Sequence, residues 1–186
     1  REATLQRKRK EYADSLPIYF EMPEHERTAQ DAETLRQILV DLPRTCPGLP
    51  FFHQTPVQRS MERILYVWAI RHPASGYVQG INDLLTPLFV VFMSVYVDDV
   101  WTCDVTQVGE EVMNQVEADC YYCLTKLLDN IQDHYTFSQP GLQRMILKLE
   151  DLMHRLDIEL HSHFEREGLQ YMQFAFRWMN CLLLRE

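Results

Sequence analysis

Apolar side chains recur three and four residues apart along almost the whole sequence, which is the spacing of one face of an α-helix. The clearest stripe lies between Pro56 and Pro73 and consists of Val57, Met61, Ile64, Leu65 and Trp68. A second stripe consists of Val112, Val116, Cys120, Cys123, Leu124, Leu127, Leu128 and Ile131. No segment has the pattern of a strand, and the sequence shows no internal repeat or low-complexity tract. We therefore expect an all-α fold.

Prolines and capping residues predict where these helices begin and end. The expected elements are helices over residues 2–14 (before Pro17), 29–41 (before Pro43), from Thr55 to a loop at 72–79, from that loop through Val97 with a kink at Pro87, over 112–131, from Pro140 to 156, and from Gly168 to Glu186. Residues 98–109 are interpreted as a surface insertion. Thr55 is expected to cap its helix, with Gln58 reaching back and Pro56 at the first helical position.

Glycine content and charge exclude two classes of ligand. The six glycines (Gly48, Gly76, Gly80, Gly109, Gly141 and Gly168) form neither G-x-x-x-x-G-K-[ST] nor G-x-G-x-x-G, so no phosphate-binding loop is recognisable. The net charge is −9, and residues 72–125 contain no Lys or Arg. An acidic chain repels a phosphate backbone, so nucleic acid is not an expected partner. The one basic cluster, Arg7–Lys10, is interpreted as a solvated helix end.

Size and composition predict one domain in a reducing compartment. A length of 186 residues with 46% apolar residues fits a single domain. Five cysteines are an odd number without framework spacing, which disfavours a disulfide scaffold. The most apolar stretch, Leu84–Val97, has about fourteen residues, whereas a membrane span needs roughly twenty. We expect no transmembrane segment, no signal peptide and a cytoplasmic location.

Two clusters have residue types that bind metals. Cys120 and Cys123 have the spacing of a metal or redox pair, but no second pair stands at a standard spacing, so buried thiols on one helix face are favoured. His154, His161 and His163 lie near one another and are interpreted as polar surface at a helix junction. A metal-dependent helical enzyme built on these histidines remains a further hypothesis, which would require bound metal.

Asp41 and Arg44 are the first pair that composition does not explain. They stand three residues apart at the C-terminal end of a predicted helix, where the helix dipole favours a cation and disfavours a carboxylate. Asp41 could orient the Arg44 side chain through a charge-assisted hydrogen bond. On spacing alone, an ordinary surface ion pair between residues three apart on a helix is the favoured interpretation, and the orienting role is the alternative.

The second such segment is Gly76–Asp83. Two glycines bracket Gln79 at the junction of a loop and a helix, and glycine permits a positive φ and a close approach by another molecule. A side-chain amide presented there can donate and accept hydrogen bonds. A plain helix start, with Asn82 and Asp83 in the first turn, is the alternative.

Together these segments resemble the TBC-domain Rab GTPase-activating proteins. The motifs are I-x-x-D-x-x-R at 38–44, Y-x-Q-G at 77–80 and R-W followed by L-L-x-R-E within 174–186. The resemblance covers the chain from about residue 30 onward and is strongest to the member 22 group of the family. It implies one multi-helix TBC domain over residues 1–186, with an N-terminal lobe and part of a C-terminal lobe. The chain is expected to be incomplete at its C-terminus, because the family's domain continues beyond the third motif.

The resemblance implies catalysis in trans on a Rab-family small GTPase, which brings GTP and Mg²⁺, so no cofactor or metal is expected on this chain. Arg44 would neutralise charge on the phosphates as an arginine finger, and Gln79 would position the attacking water as a glutamine finger. The supporting residues would be Asp41, which holds Arg44, and Tyr77, Gly80 and Asn82, which shape the loop of Gln79.

The alternative is a non-catalytic helical module that binds a Rab or acts as a scaffold. Such a relative could lose either finger, whereas this sequence keeps both Arg44 and Gln79. The resemblance further implies a role in vesicle trafficking and a peripheral location at Golgi or other endomembranes.

Overall fold

The computed structural model describes residues 2–186, and within that range it contains eight α-helices and no strand. The helices are α1 (Glu2–Tyr19), α2 (Ala29–Asp41), α3 (Thr55–Arg71), α4 (Ile81–Met93), α5 (Glu110–Asp129), α6 (Pro140–Leu156), α7 (Ile158–Glu167) and α8 (Tyr171–Asn180). Short 3-10 turns lie at Glu24–Glu26, Leu42–Arg44, Pro50–His53, Val105–Gln107 and Gln132–His134. The predicted all-α fold is confirmed. Over the described residues, none of the helices has both the length and the apolar character needed to cross a bilayer.

The chain forms two compact units, of which the first ends at Asn130 and the second is Ile131–Glu186. In the first unit α3 is the central helix, and it packs against α1, α2, α4 and α5. Its buried residues are Val57, Ser60, Met61, Ile64, Leu65, Tyr66, Val67, Trp68 and Ala69. Because α3 is covered on several sides, the helices that carry the candidate site are anchored to one core.

Ion pairs reinforce the contacts of α5 with α1 and α3. Arg63 on α3 forms two hydrogen bonds with Glu117 on α5, at 2.8 and 2.6 Å, and Glu117 also accepts a 2.8 Å hydrogen bond from the hydroxyl of Tyr12 on α1. Arg9 on α1 bonds to Asp119 at 3.0 and 2.6 Å. The interpretation of Arg7–Lys10 as a solvated helix end is therefore wrong for Arg9, which is a packing residue.

The predicted end of α1 and the predicted cap of α3 are wrong. Helix α1 continues through Pro17 to Tyr19. The carbonyl that Pro17 cannot bond is that of Ala13, an exposed residue, so water can solvate it. Helix α3 is capped by the backbone of Gln54 rather than by Thr55, and no capping box forms. The Gln54 amide instead donates to the carbonyl of Cys103 and accepts from the N–H of Val105.

The segment after α4 also departs from the prediction. Helix α4 ends at Met93 rather than Val97, and the chain leaves it through a turn in which the Tyr96 N–H donates to the Met93 carbonyl. Residues 98–109 are not purely a surface insertion, because the side chains of Val100 and Val105 are buried. Val105 is held beside α3 by its bond to Gln54.

The second unit packs α6, α7 and α8 around Ile146, Tyr171 and Ala175. The third motif lies here, where Trp178 contacts Phe174 with ring centroids 5.2 Å apart and Arg177 pairs with Glu186. The prediction of one helix from Gly168 to Glu186 is wrong, because the helix of this region covers Tyr171–Asn180. Leu182 and Leu183 have φ values of 48° and 64°, which are incompatible with a continuing right-handed helix.

Candidate functional site

Arg44 lies on the 3-10 turn that directly follows α2. Pro43 stands inside this turn, and Thr45 behind it is extended, so Arg44 lies at the corner where the chain leaves the helix. Its Nε donates a 2.9 Å hydrogen bond to Oδ1 of Asp41, and its Nη2 contacts the same oxygen. The side chain of Arg44 is 57% exposed while that of Asp41 is 5% exposed. A buried carboxylate thus holds an exposed guanidinium, and this bond raises the pKa of Arg44 above its ordinary value.

Tyr77 holds the other oxygen of the Asp41 carboxylate. Its hydroxyl donates a 2.6 Å hydrogen bond to Oδ2 of Asp41. Burial, and then this hydrogen bond, raise the pKa of Tyr77 well above its ordinary value, so the hydroxyl stays protonated as a donor. The two Asp41 oxygens are therefore divided between Arg44 and Tyr77, which joins the first motif to the second.

Asn82, in the first turn of α4, makes a second connection between the two motifs. Its Oδ1 accepts a 3.0 Å hydrogen bond from the N–H of Gly80, and that bond fixes which way the amide faces. Its Nδ2 then donates a 2.8 Å hydrogen bond to Oγ1 of Thr45. The Thr45 hydroxyl in turn donates at 2.9 Å to the backbone carbonyl of Asp41.

Thr45 is the residue of this network that the sequence analysis missed. It directly follows Arg44 and is 1% exposed. No spacing rule distinguishes it, because its bond to Asn82 spans 37 positions of the chain.

The loop that carries Gln79 depends on glycine. Gly80 has φ 109° and ψ −24°, a left-handed conformation that is strained for residues with a Cβ, and it is the cap of α4. Gly76 at the other end of the loop has φ 61°. Gln79 lies between them and is exposed.

Arg44 and Gln79 line one surface depression of about 310 Å³. Its other lining residues are Arg36, Gln37, Val40, Asp41 and Tyr77. We call it the Arg44–Gln79 depression. The structure thus brings the two expected fingers to one surface and places Asp41, Tyr77, Gly80 and Asn82 directly beneath or beside them. This surface offers a fixed cation and a side-chain amide to a molecule that approaches from outside.

The metal-type clusters are arranged differently. Cys120 is buried as predicted, but Cys123 is exposed, which corrects the interpretation of both as buried thiols. His161 is buried rather than on the surface, and its Nδ1 lies 3.1 Å from the hydroxyl of Tyr171. Across residues 2–186, no group of three or more His, Cys, Asp or Glu side chains has an arrangement that could hold a metal ion.

Comparison with known proteins identifies the class. The sequence model of the Rab-GTPase-TBC domain family matches residues 3–186, so the chain belongs to that family. Its relatives include human TBC1 domain family member 22B, which is 54% identical over 187 residues, a match that covers 100% of this chain and 36% of the relative. The GTPase-activating protein GYP1 of Saccharomyces cerevisiae is 50% identical over 191 residues, with 100% of this chain and 29% of that protein covered.

A solved structure agrees with these matches. The crystal structure of the Ypt/Rab-GAP domain of Gyp1p matches with a TM-score of 0.92 and 49% identity, covering 100% of this chain and 58% of that chain. The chain spans about a third of the length of the curated relatives it matches. The resemblance inferred from the three motifs, including its similarity to the member 22 group, is confirmed.

Proposed function

We propose that this chain is the catalytic part of a Rab GTPase-activating protein, which stimulates GTP hydrolysis by a Rab-family small GTPase. The family supports the partner class. The observation that carries the proposal is the Arg44–Gln79 depression, in which an exposed arginine and an exposed glutamine from distant parts of the chain share one surface. The nucleotide and its Mg²⁺ would belong to the partner.

Arg44 acts as the arginine finger. The Nε and Nη2 atoms of Arg44 bond to Asp41. The Nη1 atom has no contact to Asp41 and can donate to phosphate oxygens. A guanidinium fixed in advance stabilises the charge of the phosphoryl-transfer transition state without losing much entropy as it does so. Arginine fingers accelerate GTP hydrolysis by about 10³–10⁵-fold.

Gln79 acts as the glutamine finger. Its amide can accept a hydrogen bond from the attacking water and donate one to a phosphate oxygen, which aligns the water with the bond that breaks. Asp41 and Tyr77 hold Arg44, while Gly80 and Asn82 shape the loop of Gln79. Location at Golgi or other endomembranes remains a prediction that follows from the family resemblance.

The decisive experiment measures phosphate release from GTP-loaded Rab-family GTPases, with the full-length protein screened against a panel. Arg44→Ala should lower the stimulated rate by about 10³-fold or more, because the phosphate charge loses its counter-charge. Arg36→Ala is the matched control. Arg36 is also exposed, lines the same depression and bonds to a carboxylate three residues earlier, Glu33. Arg36→Ala should lower the stimulated rate by less than about tenfold, since it removes a surface charge but not the proposed arginine finger.

Gln79→Ala, in the same assay, should lower hydrolysis even when the partner retains its own glutamine. If this variant kept its activity, the partner's own glutamine would be the residue that positions the attacking water. Tight binding of a GTP-loaded Rab by the wild-type protein without acceleration would overturn the proposal in favour of a binding module.

A further inference from the structure

Two hydrogen-bonded bridges join the turn of Arg44 to the loop of Gln79. One runs from Tyr77 to the carboxylate of Asp41, both of which belong to the motifs already described. The other runs from Asn82 to Thr45, a residue to which the proposed mechanism gives no role.

Thr45 is held from three directions. Its N–H donates at 3.1 Å to the carbonyl of Leu42, its hydroxyl donates at 2.9 Å to the carbonyl of Asp41, and its Oγ1 accepts at 2.8 Å from Nδ2 of Asn82. The Oδ1 of Asn82 continues the path to the N–H of Gly80, which directly follows Gln79. One short chain of hydrogen bonds therefore connects the residue after Arg44 with the residue after Gln79.

Burial defines how Thr45 can act. The residue is 1% exposed and Asn82 is 4% exposed, so a docked GTPase would touch neither without rearrangement. Any influence of the Thr45 hydroxyl on hydrolysis must pass through the position of Arg44, Gln79 or both. Catalytic groups displaced by about 1 Å can lose about 10²-fold in rate, so a bridge that fixes their separation matters to the chemistry.

We infer that Thr45 is a positioning residue, whose hydroxyl sets the separation of Arg44 and Gln79 through its bond to Asn82. This inference rests on the proposed function. The two bridges meet at Asn82, whose Oδ1 also lies 3.2 Å from the Tyr77 hydroxyl. Their roles differ, since the Tyr77 bridge holds the carboxylate that binds the guanidinium, whereas the Thr45 bridge fixes the backbone of the turn against the backbone of the loop.

The test uses Thr45→Val in the full-length protein, assayed with the Rab-family GTPase that gives the highest wild-type rate. Valine keeps the volume but removes the hydroxyl, so the Asn82 amide loses its acceptor and the Asp41 carbonyl loses a donor. We expect kcat to fall by about 10- to 100-fold, with KM for the GTP-loaded GTPase within about threefold of wild type, because the contact surface is unchanged. Thr45→Ser, which restores the hydroxyl, should return kcat to within about threefold of wild type.

Controls separate positioning from general instability. Thr34→Val removes the hydroxyl of another buried threonine, on α2, and should leave kcat unchanged. The double variant Thr45→Val with Asn82→Ala should lose less activity than the product of the two single losses, since both substitutions remove the bond between Asn82 and Thr45. Circular dichroism and the thermal midpoint establish that each variant is folded at the assay temperature, and Thr45→Ala replaces Thr45→Val if the latter does not fold.

The inference is overturned if Thr45→Val retains wild-type kcat, or if Thr34→Val lowers kcat as much as Thr45→Val does. It is also overturned if Thr45→Ser has the low kcat of Thr45→Val, or if the kcat losses of the Thr45 and Asn82 variants multiply in the double variant. Failure of the proposed function looks different, since it would appear as no stimulation by the wild-type protein or no effect of Arg44→Ala.

Discussion

Asp41 solves a local electrostatic conflict at the scale of one residue. It ends α2, where the exposed carbonyls of the helix disfavour a negative charge, and it is almost completely buried. A buried carboxylate is tolerated only when donors satisfy it, and Arg44 and Tyr77 do so on separate oxygens. The unfavourable position of this carboxylate is therefore explained by its contacts, through which it holds Arg44 at the corner of the turn.

Tyr77→Phe tests this division of the carboxylate. Removing the hydroxyl leaves Oδ2 of Asp41 without its donor, which should lower stability by about 1–3 kcal/mol and lower kcat by about tenfold as Asp41 shifts. Because the pKa of Tyr77 is raised well above its ordinary value, the hydroxyl does not ionise, and the loss should be equal from about pH 6 to pH 9.

Tyr66→Phe is the matched control, since Tyr66 is buried on α3 and lies outside the site. It should retain wild-type kcat. A full-activity Tyr77→Phe variant would show that Arg44 alone holds Asp41. A loss that appears only above about pH 9 would contradict the assignment of the hydroxyl as a permanent donor.

At the scale of an element, the start of α4 decides where Gln79 lies. The helix begins after a residue with φ 109°, and the same residue donates its N–H to Asn82 inside the first turn. The sequence predicted this junction from its two glycines, and the structure has α4 beginning at Ile81 as that pattern implies. The hydrogen bonds that lock the loop to the turn at 42–45 could not be predicted, because they join residues 36 and 37 positions apart.

Gly80→Ala should disturb this junction. A Cβ at φ 109° costs about 1–3 kcal/mol of backbone strain, and relief of that strain would move the adjacent Gln79. We expect kcat to fall by at least about tenfold in the phosphate-release assay. Gly48→Ala is the control, because Gly48 has an ordinary φ and a Cβ there would meet nothing within 4 Å. Equal activities of the two variants would show that the conformation of the loop does not limit catalysis.

At the scale of the whole molecule, local rules predicted seven of the eight helices described over residues 2–186 but not α7, and they missed the contacts between helices. The apolar stripe of α3 is buried as its spacing indicated, because helical periodicity records which face meets a core. The predicted end of α1 and the predicted cap of α3 failed where solvent exposure or a tertiary bond outweighed local signals, as at Pro17 and Gln54. In the candidate site, the motif residues were predictable by resemblance, whereas Thr45 and the sharing of Asp41 between two donors were not.

Glu117 is the strongest case of a contact that sequence alone conceals. In the sequence it is one acid in a stretch without Lys or Arg, yet it is 1% exposed and joins α5 to α3 and α1 through Arg63 and Tyr12. The pair of Arg36 with Glu33 has the same two donor–acceptor distances, 2.8 and 2.6 Å, but is largely exposed. The two pairs therefore share these distances but differ in burial and in reach, since Glu33 and Arg36 both lie on α2 whereas Glu117 and Arg63 lie on different helices.

Glu117→Gln should destabilise the first unit by about 3–5 kcal/mol, because it leaves Arg63 partly buried without a counter-charge. Glu33→Gln should produce no measurable change, since water screens and solvates the exposed pair. Hydrogen exchange of the amides of α1, α3 and α5 in the full-length protein measures the opening free energy of this unit directly. Equal protection in the two variants would mean that Glu117 does not hold the three helices together, and that apolar packing around α3 does so alone.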